Sequence, residues 1–565
     1  MKPLQFLALV LAAFASTCAS VASAPPPPAT LIHNGRIYLG APRWLAVEAL
    51  LVSDGRVVAA GALRELEGAP WRITERMDLH GAVALPGLQD AHGHVEALGE
   101  SLESVDLRGA ASYEELIARV VERARVTPEG EWIRGRGWDQ NLWPSKEFPH
   151  HAALSAATPR HPVLLERVDG HANFANAAAL RAAGLDRAFA SEEELAGGRV
   201  LLDAERRPTG VFVDTAMGLV DKHAPAPSAA VRERRWLAAQ ALLLELGITC
   251  AHDMGVPPTT VELLARLRAE GRLKLRLVEY LAGGAGMSAQ DVQGFPLAPD
   301  GLDRLSVPGV KLYADGALGS RGAALLEPYH DEPGHDGLMV MAPEELRAAL
   351  EVCARAGLQP AVHAIGDRAN RVVLDLFEER VRADASFRAL RPRIEHAQVV
   401  ARADWPRFDA LGVIASMQPT HATSDMPWAP RRLGPERIDG AYAWRELVSD
   451  PHQLAFGSDF PVERPHPFEG LYAAITCATP SGEPRDGFRP DQRLAAEEAL
   501  SAFTWGAARA AHQEARRGRL EPGYFADLTV VDLDPLAVEP AQLLRTRVLA
   551  TIINGEVVYR APSGD

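Results

Sequence analysis

A chain of 565 residues is long enough for a large domain plus a smaller one. Its 47% hydrophobic and 24% charged residues are those of an ordinary globular protein. The formal net charge of −15, with no strongly basic block, argues against nucleic acid or an anionic membrane surface as the main partner and leaves a small-molecule ligand in view.

Residues 1–24 have the make-up of a secretory signal peptide. Lys2 supplies the positive start, an apolar run follows from Leu4 to about Phe14, and small residues from Ala15 to Ala24 offer cleavage sites. The run is short for a membrane span, so no stable transmembrane span is expected after processing. The expected destination is export, to a bacterial periplasm. Cys18, preceded by Ala15-Ser16-Thr17, is a poor lipobox and keeps a lipoprotein as the alternative. Pro25 to Pro28 then form a stiff extended spacer. The mature chain keeps Cys250, Cys353 and Cys477, an odd and widely spaced set that makes neither a disulfide framework nor a CxxC pair. They are expected as small buried hydrophobes.

Residues 25–85 alternate strand-like stretches with turn signals, Asn34-Gly35 and Asp54-Gly55. Residues 511–565 have the same texture, with a strand over 526–532 and a hairpin around Asn554-Gly555. The two ends are expected to build one small β-sandwich. Between them, residues 86–510 read as an α/β barrel, with strand candidates at 83–86, 248–252, 274–280, 309–313, 358–363, 392–396, 412–417 and 453–459. Eight is the number a closed (β/α)8 TIM barrel needs. Helical patterns follow at 343–356 and 370–383. The stretch from about 100 to 245 is too long for one crossover. It carries strand-like 163–166 and 210–213, then a helix over about 228–246, and reads as a lobe inserted after strand 1.

In a barrel all strand ends meet on one face, so distant residues can share a site. His92 and His94 lie two apart in an extended segment and point the same way, so both can bind one metal. Lys311 lies inside an apolar strand, where a buried amine near cations becomes neutral and nucleophilic. It can then take up carbon dioxide as a carbamate, whose two oxygens can bridge two metals. His363 and His396 each end an apolar strand, and imidazole is the preferred neutral ligand for zinc and similar metals. Asp459 closes the last strand, where a carboxylate can bind metal and take a proton from bound water. The set describes a hydrolytic metal centre. Read singly, each of these residues also fits a structural role: a core histidine, an ion-paired lysine.

With these motifs the chain resembles the amidohydrolase superfamily, and most closely the branch of metal-dependent hydrolases containing N-substituted formamide deformylases. The resemblance covers nearly the whole mature chain. It is carried by the HxH, the phrase from Lys311 to Arg321, His363-Ala364-Ile365-Gly366-Asp367, Ile394-Glu395-His396-Ala397-Gln398 and Gly457-Ser458-Asp459-Phe460-Pro461. It implies His92 and His94 on the more buried of two divalent ions, His363 and His396 on the other, and a carboxylated Lys311 as bridge. Asp459 completes the first site and shuttles protons. Zinc is the expected metal, with iron, manganese or cobalt as alternatives. Relatives suggest a homodimer. Softer matches place Trp138, His171 of Asp169-Gly170-His171, Arg321, Gln418 and His421 near the substrate, with Trp138, Trp143 and Phe174 as pocket walls. The expected activity is cleavage of a non-peptide C–N bond (amide, formamide or cyclic amide) by metal-activated hydroxide. Alternatives are an ester, lactone or phosphoester hydrolase on the same metal site, or a non-catalytic periplasmic metal- or ligand-binding protein.

Overall fold

The computed structural model describes residues 26–189, 197–299, 301–449 and 453–562. The expected signal, Cys18 and Pro25 lie outside the described residues. Among those described, no helix is long and apolar enough to cross a membrane.

Eight parallel strands form one sheet in sequence order: Leu88–Gly93, Ile248–Val256, Arg276–Ala282, Leu305–Tyr313, Gln359–Ala364, Arg393–His396, Ile414–Met417 and Leu454–Phe456. Helices such as Pro258–Ala269, Pro343–Ala356 and Asp367–Ala383 run between them and cover the outside. Covered on both faces, these strands are buried along nearly their whole length, which is why they read as continuous apolar runs. A parallel bridge from Gly93 to Phe460, with the His94 amide donating to the Phe460 carbonyl at 2.8 Å, brings the last strand round to the first. The eight-strand barrel is thereby nearly closed.

The first barrel strand differs from the expectation. Val83–Pro86 belongs to the terminal sheet, pairing with Pro28–Tyr38 on one side and Leu528–Val531 on the other. The barrel begins at Leu88, in a stretch whose buried residues include the polar Gln89, Asp90 and His92. A buried polar strand carries no apolar signature, so the neighbouring apolar tetrapeptide drew the assignment.

Both termini meet in one eight-stranded sheet. Its path runs Glu556–Arg560, Val548–Ile553, Leu528–Val531, Val83–Pro86, Pro28–Tyr38, Ala46–Ser53 and Arg56–Gly61, with Arg72–Asp78 also paired to Pro28–Tyr38. Alternate residues serve two hydrophobic clusters: Ile32 and Leu50 pack with Leu528 and Ile552, while Leu31 and Leu51 pack with Ala29 and Leu66. Asp54-Gly55 and Asn554-Gly555 form two-residue turns with positive φ at both positions, as hairpins of matching twist require. Asn34-Gly35 makes no turn. It interrupts the register within the single strand Pro28–Tyr38, both halves of which pair with Ala46–Ser53. The sheet is tied to the barrel floor by Arg276, whose guanidinium meets Asp527 at 2.7 and 2.9 Å, both side chains being buried.

Between the first and second barrel strands the chain builds a lobe with its own six-stranded sheet. Val105–Asp106, Ile133–Trp138 and Val163–Arg167 are parallel, whereas Ala172–Ala175, Pro208–Asp214 and Gly198–Leu202 follow antiparallel. Its end, Ala229–Glu245, is a helix capped by the Ser228 side chain accepting from the Val231 amide. Cys250, Cys353 and Cys477 are buried free thiols.

Candidate metal centre

The six residues of the sequence argument come together at one mouth of the barrel. His92 lies in the first strand, Lys311 and His363 near the ends of the fourth and fifth, and His396 at the end of the sixth. His94 and Asp459 lie just past the first and last strands. Ring centroids of His92 and His396 are 4.7 Å apart, and those of His363 and His396 4.5 Å. His92, His396 and Asp459 offer ligand atoms that all lie within 4.8 Å of one another. This tight set takes one histidine from each expected pair plus the carboxylate. His396 and Asp459 hold φ of 74° and 57°, a region that non-glycine residues rarely occupy and that collects at functional sites.

Hydrogen bonds fix which ring nitrogen faces the centre. His92 Nδ1 lies 2.6 Å from Glu395 Oε2, His94 Nδ1 2.9 Å from the Met254 carbonyl, and His396 Nδ1 2.8 Å from Gln418 Oε1. Each partner is an acceptor, so each Nδ1 carries the proton and each Nε2 presents a bare lone pair. Asp459 Oδ1 is 3.1 Å from His94 Nε2 and 3.4 Å from His92 Nε2, the latter also facing the Lys311 amine at 3.1 Å. Oδ1 is buried and receives no hydrogen bond. His94 Nε2 and Asp459 Oδ1 meet with no proton between them, a contact that a cation would satisfy, so the donor set fits a divalent metal ion.

The electrostatics agree. Burial, reinforced by the Lys311 charge, pushes His92 down to about 4. Burial likewise holds His363 and His396 well below the usual imidazole range. Burial opposes ionisation of Asp459, but positive charge on His92, His94 and His396, the place a metal ion's charge would take, outweighs it and holds the carboxyl well below its ordinary value. Lys311 is 1% exposed, its Nζ 3.1 Å from His92 Nε2, and burial lowers it to about 8 against the pull of Glu395 and Asp459.

A supporting shell was missed by sequence reasoning. Glu395, bound to His92, is also paired with Arg393 at 2.7 and 3.0 Å. Arg393 in turn reaches Tyr280, His252 and the Ala91 carbonyl inside the barrel. Asp90 accepts from the His92 amide, the Ser458 amide and the Ser458 hydroxyl, at 3.1, 3.1 and 2.7 Å, clamping the first strand to the loop that carries Asp459. The strands approach so closely there that a Cβ on Gly457 would lie 2.5 Å from both Asp90 Oδ1 and the His92 nitrogen. Asp315 accepts three backbone amides, from Ala324, Ile365 and Gly366, and so locks the loop after the fourth strand beside His363. The usable signal was position: each acid neighbours a ligand in sequence.

Two cavities flank the centre, of about 370 and 350 Å³, and share Asp169, His171, His363, His396 and Asp459. Lys311, Tyr313, Arg136 and Met217 line the first; Leu318, Trp428, His421 and Arg167 line the second. Of the softer candidates, His171 lines both cavities and His421 the second, with His421 Nε2 3.8 Å from Asp459 Oδ2. Gln418 holds His396. Two expectations need correction. Trp138 is fully buried in the lobe, its Nε1 donating to the Leu165 carbonyl and its ring stacked on Trp143. It packs with Trp143 and Phe174 in the lobe's hydrophobic core, strand alternation turning Trp138 and Phe174 inward. Arg321 lines neither cavity and pairs with Asp331 and Glu332 at 3.2 and 3.1 Å.

Residues 75–559 match the amidohydrolase family. YtcJ of Bacillus subtilis (strain 168), an amidohydrolase by assignment, is 33% identical over 541 residues, 93% of this chain and 98% of YtcJ. The N-substituted formamide deformylase of Arthrobacter pascens is 27% identical over 552 residues, 94% of this chain and 98% of that protein. Among solved structures, an uncharacterized metal-dependent hydrolase from Pyrococcus horikoshii OT3 aligns with a TM-score of 0.72 and 32% identity, covering 91% of this chain and 99% of its own.

Proposed function

The chain belongs to the amidohydrolase family and is a metal-dependent hydrolase acting on carbon–nitrogen bonds, and from that premise we propose that its substrate is a small amide, formamide or cyclic amide, with Asp459 as the proton shuttle. The observation that carries this reading is the convergence of His92 Nε2, His94 Nε2 and Asp459 Oδ1 at a barrel mouth opening into two cavities. The similarity to a formamide deformylase supports the choice of bond.

His92, His94, His363, His396 and Asp459 would hold two divalent ions, zinc first among them. When bound, such ions polarise a carbonyl and lower the pKa of water to about 7. Lys311 Nζ would add carbon dioxide with loss of a proton, and the resulting carbamate would link the His92–His94 side to the His363–His396 side. Asp459 takes a proton from the attacking water at its carboxylate and delivers it to the leaving nitrogen, so that water and amide give acid and amine. The flanking cavities seat the two arms of the substrate on either side of the scissile bond. We also propose export to a periplasm, on the make-up of residues 1–24; amino-terminal sequencing of chain recovered from that compartment checks it.

The test is metal per chain on protein purified without chelator in bicarbonate buffer, followed by a panel of amides, formamides, cyclic amides, esters and phosphoesters. About two equivalents with amide turnover support the full reading. One equivalent with turnover removes the bridging carbamate but keeps the hydrolase. Turnover of esters alone moves the bond, and no metal after reconstitution defeats the reading.

A further inference from the structure

The second cavity combines an apolar wall with two carboxylates that no base balances. Leu318, Ile365 and Trp428, each 5% exposed or less, line it together with His363, His396 and Asp459, so a substrate arm leaving the centre on this side meets them. Asp425 and Glu463 line the same cavity. Asp425 Oδ2 accepts from Gln398 Nε2 at 2.8 Å and from the Tyr442 hydroxyl at 2.9 Å. Glu463 Oε1 accepts from the Ser424 hydroxyl at 2.5 Å. These contacts engage one oxygen of each carboxylate and fix its position without supplying positive charge.

The arginines around the cavity are committed elsewhere. Arg167, buried, is held between Asp139 and Asp169 and also donates to Gln140. The more exposed Arg108 pairs with Asp106 at 2.9 Å, and Arg464 with Glu469 at 2.9 Å. Among the described residues no basic side chain comes within ion-pair distance of Asp425 or Glu463. Burial makes ionisation of both carboxyls costly: it raises Asp425 well above its ordinary value, with Glu463 adding to the effect, and it raises Glu463 above its own. A cation in the cavity would remove that cost. A separate polar atom also lacks a partner there. His421, 9% exposed, lines the cavity, and its Nε2 makes no hydrogen bond among the described residues. Such an atom is satisfied by a ligand with a polar end.

We propose that the second cavity binds a positively charged arm of the substrate, an apolar chain ending in an ammonium group, with Asp425 and Glu463 as specificity-determining residues. The proposal rests on the hydrolase reading above and names a substrate class for it: an amide or formamide that carries an amine on one side. The chain lies against Leu318, Ile365 and Trp428, and the ammonium exchanges water for the two carboxylates. Carboxylates placed this way act by difference. They favour a cationic arm, and a neutral arm that leaves them unpaired is penalised.

The experiment compares, on the full chain loaded with zinc, amides and formamides that differ only in ending in a methyl group or an amine. One set carries the arm on the acyl side and the other on the nitrogen side. In one of the two sets kcat/KM is expected to be about 10–100-fold higher for the amine-ended member, the worth of a hydrogen bond to a charged group. Asp425→Asn and Glu463→Gln keep an oxygen to accept from Tyr442 and Ser424 but lose the charge, and each is expected to shrink that ratio, mainly through KM. Calorimetry with hexylammonium against hexanol reads the subsite without turnover. The ammonium is expected to bind the parent more tightly than the alcohol and to lose that advantage in the double variant. Melting temperature controls for folding, and the parent's own ranking decides the proposal where a variant does not fold. Equal or reversed ranking of the two arms in a parent that turns over the panel overturns the proposal, as does equal binding of hexanol and hexylammonium. A preference that survives in both variants overturns the assignment to Asp425 and Glu463. Ammonium binding that depends on the two carboxylates, in a chain that hydrolyses none of the panel, defeats the hydrolase reading while leaving the cation subsite standing.

Discussion

Glu395 Oε2 and His92 Nδ1 are joined at 2.6 Å with neither side chain exposed to solvent. The contact fixes the tautomer of His92, whose Nε2 faces the proposed metal, from the sixth strand of the barrel. Glu395→Gln keeps the shape but not the charge, and exchanging such an outer partner weakens metal affinity about 10–100-fold. It also leaves the Arg393 guanidinium without its carboxylate, a change worth about 3–5 kcal/mol of stability when a buried pair is broken. Chelator competition and thermal melting read the two effects separately. Unchanged zinc affinity would remove Glu395 from the metal's support.

Asp459→Asn is expected to lower turnover by about 10²–10⁴-fold, the usual contribution of a positioned acid–base group, while the fold survives. The reason for survival is local. The backbone at 459 sits at φ 57°, which asparagine adopts readily, and its amide bond to the His92 carbonyl at 2.7 Å does not use the side chain. A variant with near-parental kcat would refute the proton role, and circular dichroism controls for folding.

Lys311→Ala is expected to lower metal per chain, and short carboxylic acids such as acetate or propionate to restore part of it by filling the space of the carbamate. Bicarbonate depletion of the parent protein should act in the same direction. Unchanged metal content with no response to either additive would leave Lys311 as an amine beside His92.

Trp138 separates a buried ring from a pocket wall. Trp138→Ala opens a cavity in the lobe core and is expected to cost about 3–5 kcal/mol of stability. The ranking of substrates across the panel should stay the same, since the ring packs on Trp143 and lines neither cavity. A change of substrate preference without loss of stability would return Trp138 to the substrate.

How much of this was legible in the sequence depends on what each residue answers to. Lys311, His363 and His396 stood out because each is a polar residue in or at the end of an apolar run, the visible sign of a parallel strand buried on both faces. The first barrel strand was misplaced because Gln89, Asp90 and His92 erase that sign. Trp138 and Arg321 were misread for a related reason. An aromatic or a cation near a motif says nothing about which way its strand alternates, or whether an acid such as Asp331 waits nearby in space. Asp214 was invisible, because its meaning lies in a pairing with His171 across 43 residues of lobe.

The junction between barrel and terminal sheet yields a pH prediction. Burial works against ionisation of Asp527, but the Arg276 charge and hydrogen bonds, with the Asn554 amide, hold its carboxyl below the ordinary value. A carboxyl whose folded pKa is depressed contributes stability that is fully present above its unfolded value of about 3.9 and is lost as pH falls through the folded one. Asp527→Asn, which strands Arg276 in the barrel floor, is therefore expected to cost about 3–5 kcal/mol at neutral pH. The gap in melting temperature between parent and variant should hold from pH 7 down to about 5 and close below about 4. Other carboxylates titrate in both proteins and cancel in the difference. A gap that stayed constant down to pH 3 would mean that Asp527 acts through packing and not through its charge.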